Sequence, residues 1–330
     1  MTTQPGGRAS APLAARLSFG LWALAMVCAP AGAQTFNERL YDPPVGSRWQ
    51  IVSQTDSNQS GDIGTSRDQH VHSLSEFTIA EKLPDGFRVI FINRGITISG
   101  SAPGTDIAGK AFAAMKDIEV HARTDRNGKP VAIDNLDEVK AKMRIVIERL
   151  TESLASQPKV AALIKQMLEG FLIVDGAEAA RLYIEEVPLL ASAQNTGLKP
   201  GAVRREQDNV EAPLGGGTIK ATVTTRLTSW DDKAGTARYT RTRETDHDAM
   251  QAFIMTLVQK LAAASSDKDM PKVLEMMKQV SFDMTSETTI DVEGGMARAV
   301  NERDTMTAQL MGHKMNKLET KTTIVTPLAK

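Results

Sequence analysis

The segment NLDEVKAKMRIVIERLTESL at residues 135–154, followed by PKVAALIKQMLEGF at residues 158–171, decides the fold of this chain. In both segments apolar side chains recur every three or four residues, which places them on one face of a helix. They are Leu136, Val139, Met143, Val146, Ile147, Leu150 and Leu154, then Val160, Leu163, Ile164, Met167, Leu168 and Phe171. Asn135 stands where a capping side chain is expected. A third helix is expected from about Asp175 to just before Pro188, because proline disfavours a helical residue ahead of it.

Strand-like sequence on both sides of these helices supplies the surface on which their apolar faces can pack. Two turns are strongly marked, Pro84-Asp85-Gly86 and Arg126-Asn127-Gly128, and both favour hairpins. Further helices are expected at 103–115, 246–261 and 270–278. The predicted strands are 48–57, 66–83, 87–99, 117–124, 129–133, 202–212, 218–230, 236–245, 280–292, 296–310 and 315–326.

The order of these elements predicts a single α+β domain over residues 48–330. It runs through strands at 48–133, helices at 135–192, strands at 202–245, helices at 247–279 and strands at 280–326. Hairpins dominate, so we expect a mostly antiparallel, strongly curved, half-barrel-like sheet of about eleven strands packed on about six helices. This layout resembles the exported half-barrel lipoprotein carriers, whose sheet folds over helices and encloses an apolar pocket. The resemblance concerns the arrangement alone and assigns no residue a role.

The first 33 residues have the pattern of a secretory signal peptide. Arg8 and Arg16 precede an apolar run from Leu17 to Cys28, and Ala31-Gly32-Ala33 supplies the cleavage site. A membrane anchor is the alternative, but the run is shorter than the ~20 residues that cross a bilayer. Residues 34–47 then form an extended lead-in, because Pro43-Pro44 opposes regular structure.

Composition narrows the compartment and the partners. Cleavage removes Arg8 and Arg16 and leaves 37 basic against 40 acidic side chains, so electrostatics gives no reason to expect nucleic acid. The one cysteine, Cys28, lies in the signal peptide, so the mature chain forms no disulfide. No later segment is apolar enough to span a membrane. We therefore expect a periplasmic protein, with secretion to the medium as the alternative.

An amphipathic helix in the second half of the chain is the candidate wall of an apolar pocket. Flexible methionine side chains line adaptable apolar pockets, although they also fill ordinary cores. The candidate ligand-contacting residues are Met250, Phe253, Ile254, Leu257 and Met277.

Two groups of side chains are candidates for a metal site. Met311, His313 and Met315 offer the thioether and imidazole ligands that suit Cu(I), although Gly312 indicates a hairpin tip between them. His70 and His72 lie two residues apart on a predicted strand, so they share one face, where solvent-exposed histidines are the alternative.

No catalytic motif is recognisable: the chain contains neither a G-x-S-x-G elbow nor an H-E-x-x-H helix, and no cofactor is expected. The sequence therefore favours a non-enzymatic exported binding or carrier protein that holds a lipid or other apolar molecule between sheet and helices. The first alternative is a structural or interaction protein that contacts other envelope proteins and has no ligand cavity. A copper-binding protein is the weaker alternative.

Overall fold

The computed structural model describes residues 36–62, 66–102, 105–155, 158–191, 196–211, 218–264, 281–310 and 313–329. All of them belong to one compact unit, residues 35–330. The predicted signal peptide lies outside the described residues.

Antiparallel strands make up most of the described chain. The strands are β1 (Arg48–Gly61), β2 (Arg67–Leu83), β3 (Gly86–Gly100), β4 (Glu119–Asp125), β5 (Pro130–Ile133), β6 (Val203–Glu211), β7 (Thr218–Asp231), β8 (Thr236–Thr245), β9 (Ser281–Glu293), β10 (Met296–Leu310) and β11 (His313–Pro327). The helices are α1 (Thr105–Ala114), α2 (Leu136–Ser153), α3 (Pro158–Ile173), α4 (Gly176–Tyr183) and α5 (His247–Ala264), with a 3-10 helix at Val187–Ala191. None of the described helices is long and apolar enough to cross a membrane.

The strands form one antiparallel sheet of 11 strands in the order β5-β4-β3-β2-β1-β11-β10-β9-β8-β7-β6. Strands that are neighbours in sequence pair with each other, except β5 and β6, and β1 also pairs with β11 at the centre. The two strands that flank the long helical segment, β5 and β6, therefore lie at opposite edges, and the sheet is not closed. The helices α2, α3 and α4 carry the chain from one edge to the other.

The α+β class and the antiparallel sheet are confirmed, and the predicted helix count is corrected. Five α-helices are present in the described residues where six were predicted, and the predicted helix at 270–278 lies outside them. The capping prediction for Asn135 is wrong, because its side chain makes no cap hydrogen bond to α2. Its Oδ1 instead accepts from the His121 backbone N–H at 2.8 Å, and its Nδ2 donates to the Glu119 carbonyl at 3.1 Å. Asn135 thus ties the start of α2 to β4.

The helices pack on one face of the sheet. Cross-strand pairing places Ile51 of β1 beside Val325 of β11, and directly paired residues share a face. Both are buried in the largest apolar cluster, which also contains Val139 and Met143 of α2 and Leu190 of the 3-10 helix. A second cluster joins α1, α2 and α3, and a third holds α5 against the sheet. The apolar stripes therefore meet the strands, and the main core lies between them.

Candidate apolar-ligand cavity

A cavity of about 230 Å³, called the apolar cavity below, opens between the sheet and the helices. Its floor is formed by β2, β3 and β4, and α1, α2, α3 and α4 supply the other walls. Large apolar side chains contribute most of the lining, among them Phe91, Met115, Val120, Met143 and Phe171. Such a lining favours an apolar molecule, because most ligand pockets combine apolar walls with a few placed polar groups.

Two contacts of α2 with the rest of the fold, at Asn135 and Val139, position Met143 at this cavity. The Asn135 side chain holds the first turn against β4, as described above. Val139, one turn later, is fully buried, and Met143 follows one further turn along the same face, 1% exposed. The thioether of Met143 therefore reaches the cavity from a helix whose position on the sheet is set by hydrogen bonds.

The wall opposite the sheet depends on a contact between α3 and α4. The Tyr183 hydroxyl donates to the Phe171 carbonyl at 2.9 Å, and the two rings meet edge to face at 5.8 Å. Burial raises the pKa of Tyr183 to about 12. Leu182 lies next to this contact and is 38% exposed, so the cavity reaches solvent on the α4 side.

One part of the lining is polar. The Ser73 hydroxyl of β2 donates to Glu186 Oε1 at 2.8 Å, and Glu186 lies between α4 and the 3-10 helix, 6% exposed. Ser75, 2% exposed, follows on the same face of β2 and pairs in register with Asn93 of β3, whose side chain also lines the cavity. Glu185 completes this wall at the surface. The cavity thus has a polar wall beside its apolar ones.

A band of charged side chains crosses the same face of the sheet nearer its centre. Arg243 Nη2 of β8 lies 3.5 Å from Glu302 Oε1 of β10. Burial, together with the nearby Asp304 carboxylate, raises the pKa of Glu302, and burial lowers the pKa of Arg241. Because the band contains charges of both signs, it gives no preference for a ligand of one charge.

The pocket residues predicted on α5 come together, but at a different place. Met250 and Ile254 are buried against Ile219 of β7, with Phe253 packed beside them. None of these three lines the apolar cavity. The Leu257 side chain and Met277 lie outside the described residues.

The predicted metal ligands are divided between two places. His70 on β2 is exposed, and its Nδ1 lies 2.6 Å from Asp56 Oδ1, a hydrogen bond that raises the pKa of His70. His72 is exposed on the same strand. His313 begins β11, and Met315 accepts a hydrogen bond from the Gln59 side chain at 2.9 Å. The described part of the chain contains no group of three His, Cys, Asp or Glu side chains that could hold a metal ion, and Met311 lies outside it.

The residues of the polar wall were missed from the sequence, although β2 carries a signal. Its buried-face positions read Ser73, Ser75, Phe77 and Ile79, so two small polar residues precede two large apolar ones. Small side chains on a buried strand face leave space beneath a helix. The position of that space depends on which helix lies above, which no local pattern specifies.

No protein-family model matches the sequence, and no curated protein matches it. Among solved structures, lipovitellin, whose lipid–protein interactions were the subject of that structure, aligns with 8% identity and a TM-score of 0.42. The alignment covers 88% of this chain and only 26% of lipovitellin. An outer membrane channel from Pseudomonas putida F1 aligns over 86% of this chain and 97% of its own, with 8% identity and a TM-score of 0.17. At these TM-scores neither similarity establishes a shared fold or function.

Proposed function

We propose that this protein is a non-enzymatic, exported binding protein that holds a small apolar molecule in the apolar cavity. The cavity itself carries the proposal. Protein interiors are close-packed, and an engineered cavity of about 150 Å³ already binds benzene. A ligand that fills this 230 Å³ replaces water with apolar contacts, and each methylene group that it buries contributes about 0.8 kcal/mol.

The size of the cavity limits the ligand. Benzene in about 150 Å³ corresponds to about 25 Å³ per carbon, so 230 Å³ accommodates about nine non-hydrogen atoms. A short alkyl chain or a small aromatic molecule fits inside. A longer lipid would place one chain end in the cavity and extend past Leu182.

A strongly curved, half-barrel sheet is part of this proposal, and the lead-in segment supports it. The Asn37 backbone N–H donates to Asp232 beside the end of β7 at 3.1 Å, while the Tyr41 and Phe87 rings lie 5.5 Å apart at the start of β3. Seven strand-to-strand steps separate β7 from β3 in the sheet order, about 34 Å in a flat sheet. Four residues reach about 14 Å. In a flat sheet the remaining distance of about 20 Å would have to be spanned by fully extended side chains at both ends, so this short bridge supports a bent sheet.

The 3-10 helix supports the same curvature. It packs on β10, and a Cβ built at Gly128 in the β4–β5 turn would lie 2.8 Å from the Ala191 Cβ. Five strand-to-strand steps separate β10 from β4. The 3-10 helix has only about one and a half turns, so it can contact both β10 and the β4–β5 turn only if the sheet wraps around the helix. Such wrapping shelters the cavity.

Export through the pattern at residues 1–33 completes the proposal. We expect the intact mass of the mature protein to equal that of a chain that starts at Gln34. A mass that retains the first 33 residues would contradict export by a cleaved signal peptide.

Toluene tests the cavity, because its seven carbons fit the volume and it carries no polar group. We expect calorimetry or NMR to show saturable toluene binding that Val120→Phe abolishes, because the added ring atoms occupy the cavity. Val139→Phe is the matched control: Val139 is buried in the same cluster but does not line the cavity. Overpacking there should cost about 1–3 kcal/mol of stability and leave toluene binding in place. Absence of toluene binding in the wild type would instead favour an envelope structural or interaction protein.

A further inference from the structure

The polar wall of the apolar cavity indicates which chemical group a ligand carries. Two carboxyl groups, those of Glu185 and Glu186, line the cavity, and none of the described lining residues is a lysine or arginine. Glu186 is 6% exposed and accepts one side-chain hydrogen bond, from Ser73 to its Oε1. Among the described residues nothing donates to its Oε2. Oε2 is not one of the buried side-chain atoms that lack a hydrogen-bond partner, so it is accessible and can accept a hydrogen bond from a donor group of a ligand in the cavity.

The neighbouring polar groups can also accept hydrogen bonds, and the Ser75 hydroxyl and the Asn93 amide can donate them as well. The Ser75 hydroxyl and the Asn93 side chain lie on paired residues of β2 and β3, next to a β-bulge between these strands. Asn93 Oδ1 accepts the Gly95 backbone N–H at 2.9 Å and retains a second lone pair. With Glu186 Oε2, this wall offers three acceptor positions. A protonated primary amine has three N–H donors and no acceptor.

We propose that the ligand is a short-chain amphiphile with a protonated amine head, whose ammonium group contacts Glu186, Ser75 and Asn93 while its alkyl chain contacts Phe91, Val120 and Met143. This inference rests on the proposed function and specifies its ligand class. A fatty acid of the same length is disfavoured, because its carboxylate would lie against the Glu186 carboxyl group, and none of the described residues that line the cavity is a lysine or arginine. An ammonium–carboxylate hydrogen bond is among the stronger ones in proteins.

The test compares octylamine with octanoate at neutral pH by isothermal titration calorimetry, with toluene as the uncharged probe. We expect octylamine to bind about tenfold or more tightly than octanoate. In Glu186→Gln the amide oxygen still accepts from Ser73, so the fold is kept, and the preference should fall to within about threefold. Glu178→Gln is the matched control, since Glu178 is exposed on α4 and does not line the cavity, and it should keep the full preference.

Each outcome supports or overturns a distinct statement. If toluene binds and octanoate binds as tightly as octylamine or more tightly, the amine assignment is overturned and the proposed function stays in place. A preference unchanged in Glu186→Gln overturns the assignment in the same way. Loss of the preference in Glu186→Gln, with toluene binding retained, supports it. Failure of toluene, octylamine and octanoate alike overturns both the proposed function and this inference.

Discussion

Replacing Met143 by alanine should lengthen the chain that the apolar cavity accepts. Each methylene buried contributes about 0.8 kcal/mol, so affinity in a series of 1-alkanols should rise about fourfold per carbon until the cavity is full. With 230 Å³ available and about 25 Å³ per atom, the rise should stop near 1-octanol, which has about nine non-hydrogen atoms. Met143→Ala removes about three such atoms and adds about 75 Å³. The break, which is the chain length at which affinity stops rising, should therefore move to about 1-undecanol.

The same substitution should destabilise the free protein. A further cavity of about 75 Å³ costs about 1.8 kcal/mol in addition to the transfer term, within the usual range of about 2–5 kcal/mol. Leu150→Ala is the matched control, because Leu150 is buried on the same helix among α1 and α3 residues and does not line the cavity. It should lose a similar free energy of unfolding and keep its break at the wild-type chain length.

Urea unfolding measures the stabilities, and calorimetric titration of the alkanol series measures the break for each protein. Two results would refute the reasoning: a break that stays at the wild-type length in Met143→Ala, or one that moves equally in Leu150→Ala. Either result would mean that Met143 does not limit the space occupied by the chain.

Three further predictions concern the lead-in segment, the wall opposite the sheet and the outer face. Tyr41→Ala should cost about 3–5 kcal/mol in urea unfolding, whereas Leu40→Ala, at a residue 61% exposed, should change stability by less than about 0.5 kcal/mol; equal costs would contradict the bridging role of Tyr41. Because the pKa of Tyr183 is raised to about 12, folding favours the neutral phenol over the phenolate. The contribution of Tyr183 to the free energy of unfolding is therefore complete below the unfolded-state pKa of about 10 and is lost as pH rises through 12. Tyr183→Phe should therefore weaken the fall in stability over that interval, and an unchanged fall would count against it. NMR titration should find the pKa of His70 above its ordinary value and lowered in Asp56→Asn, since the Asp56 hydrogen bond raises it; no change in that variant would contradict this cause.

Local patterns were sufficient to predict the eleven strands. The structure has strands at Thr236–Thr245 and Met296–Leu310, the bounds that alternation and turn residues indicate. The Arg126-Asn127-Gly128 turn forms as expected, because Gly128 adopts a φ of 73° that the turn requires. Such signals act over a few residues and need no knowledge of the rest of the fold.

Long-range arrangement was not predictable in the same way. Trp49 pairs with Pro327 at the centre of the sheet, and no local pattern specifies contacts between the two ends of a chain. The stripe containing Met250 and Ile254 predicts a buried face, and both side chains are buried. A stripe cannot reveal whether the buried face leaves a gap, because a gap depends on the residues opposite. Glu186 gave no sequence signal for the same reason: its partner Ser73 is 113 residues away.

The most direct test of the central claim is NMR of the protein labelled with ¹³C in its methionine methyl groups, in the presence of 1-octanol. Met115 and Met143 line the apolar cavity, whereas Met250 is buried on α5 away from it. We expect nuclear Overhauser effects between the octanol chain and the methyl groups of Met115 and Met143, with none to Met250. Effects confined to Met250, or absent from all three methyl groups at saturating octanol, would contradict the claim that this cavity is the binding site.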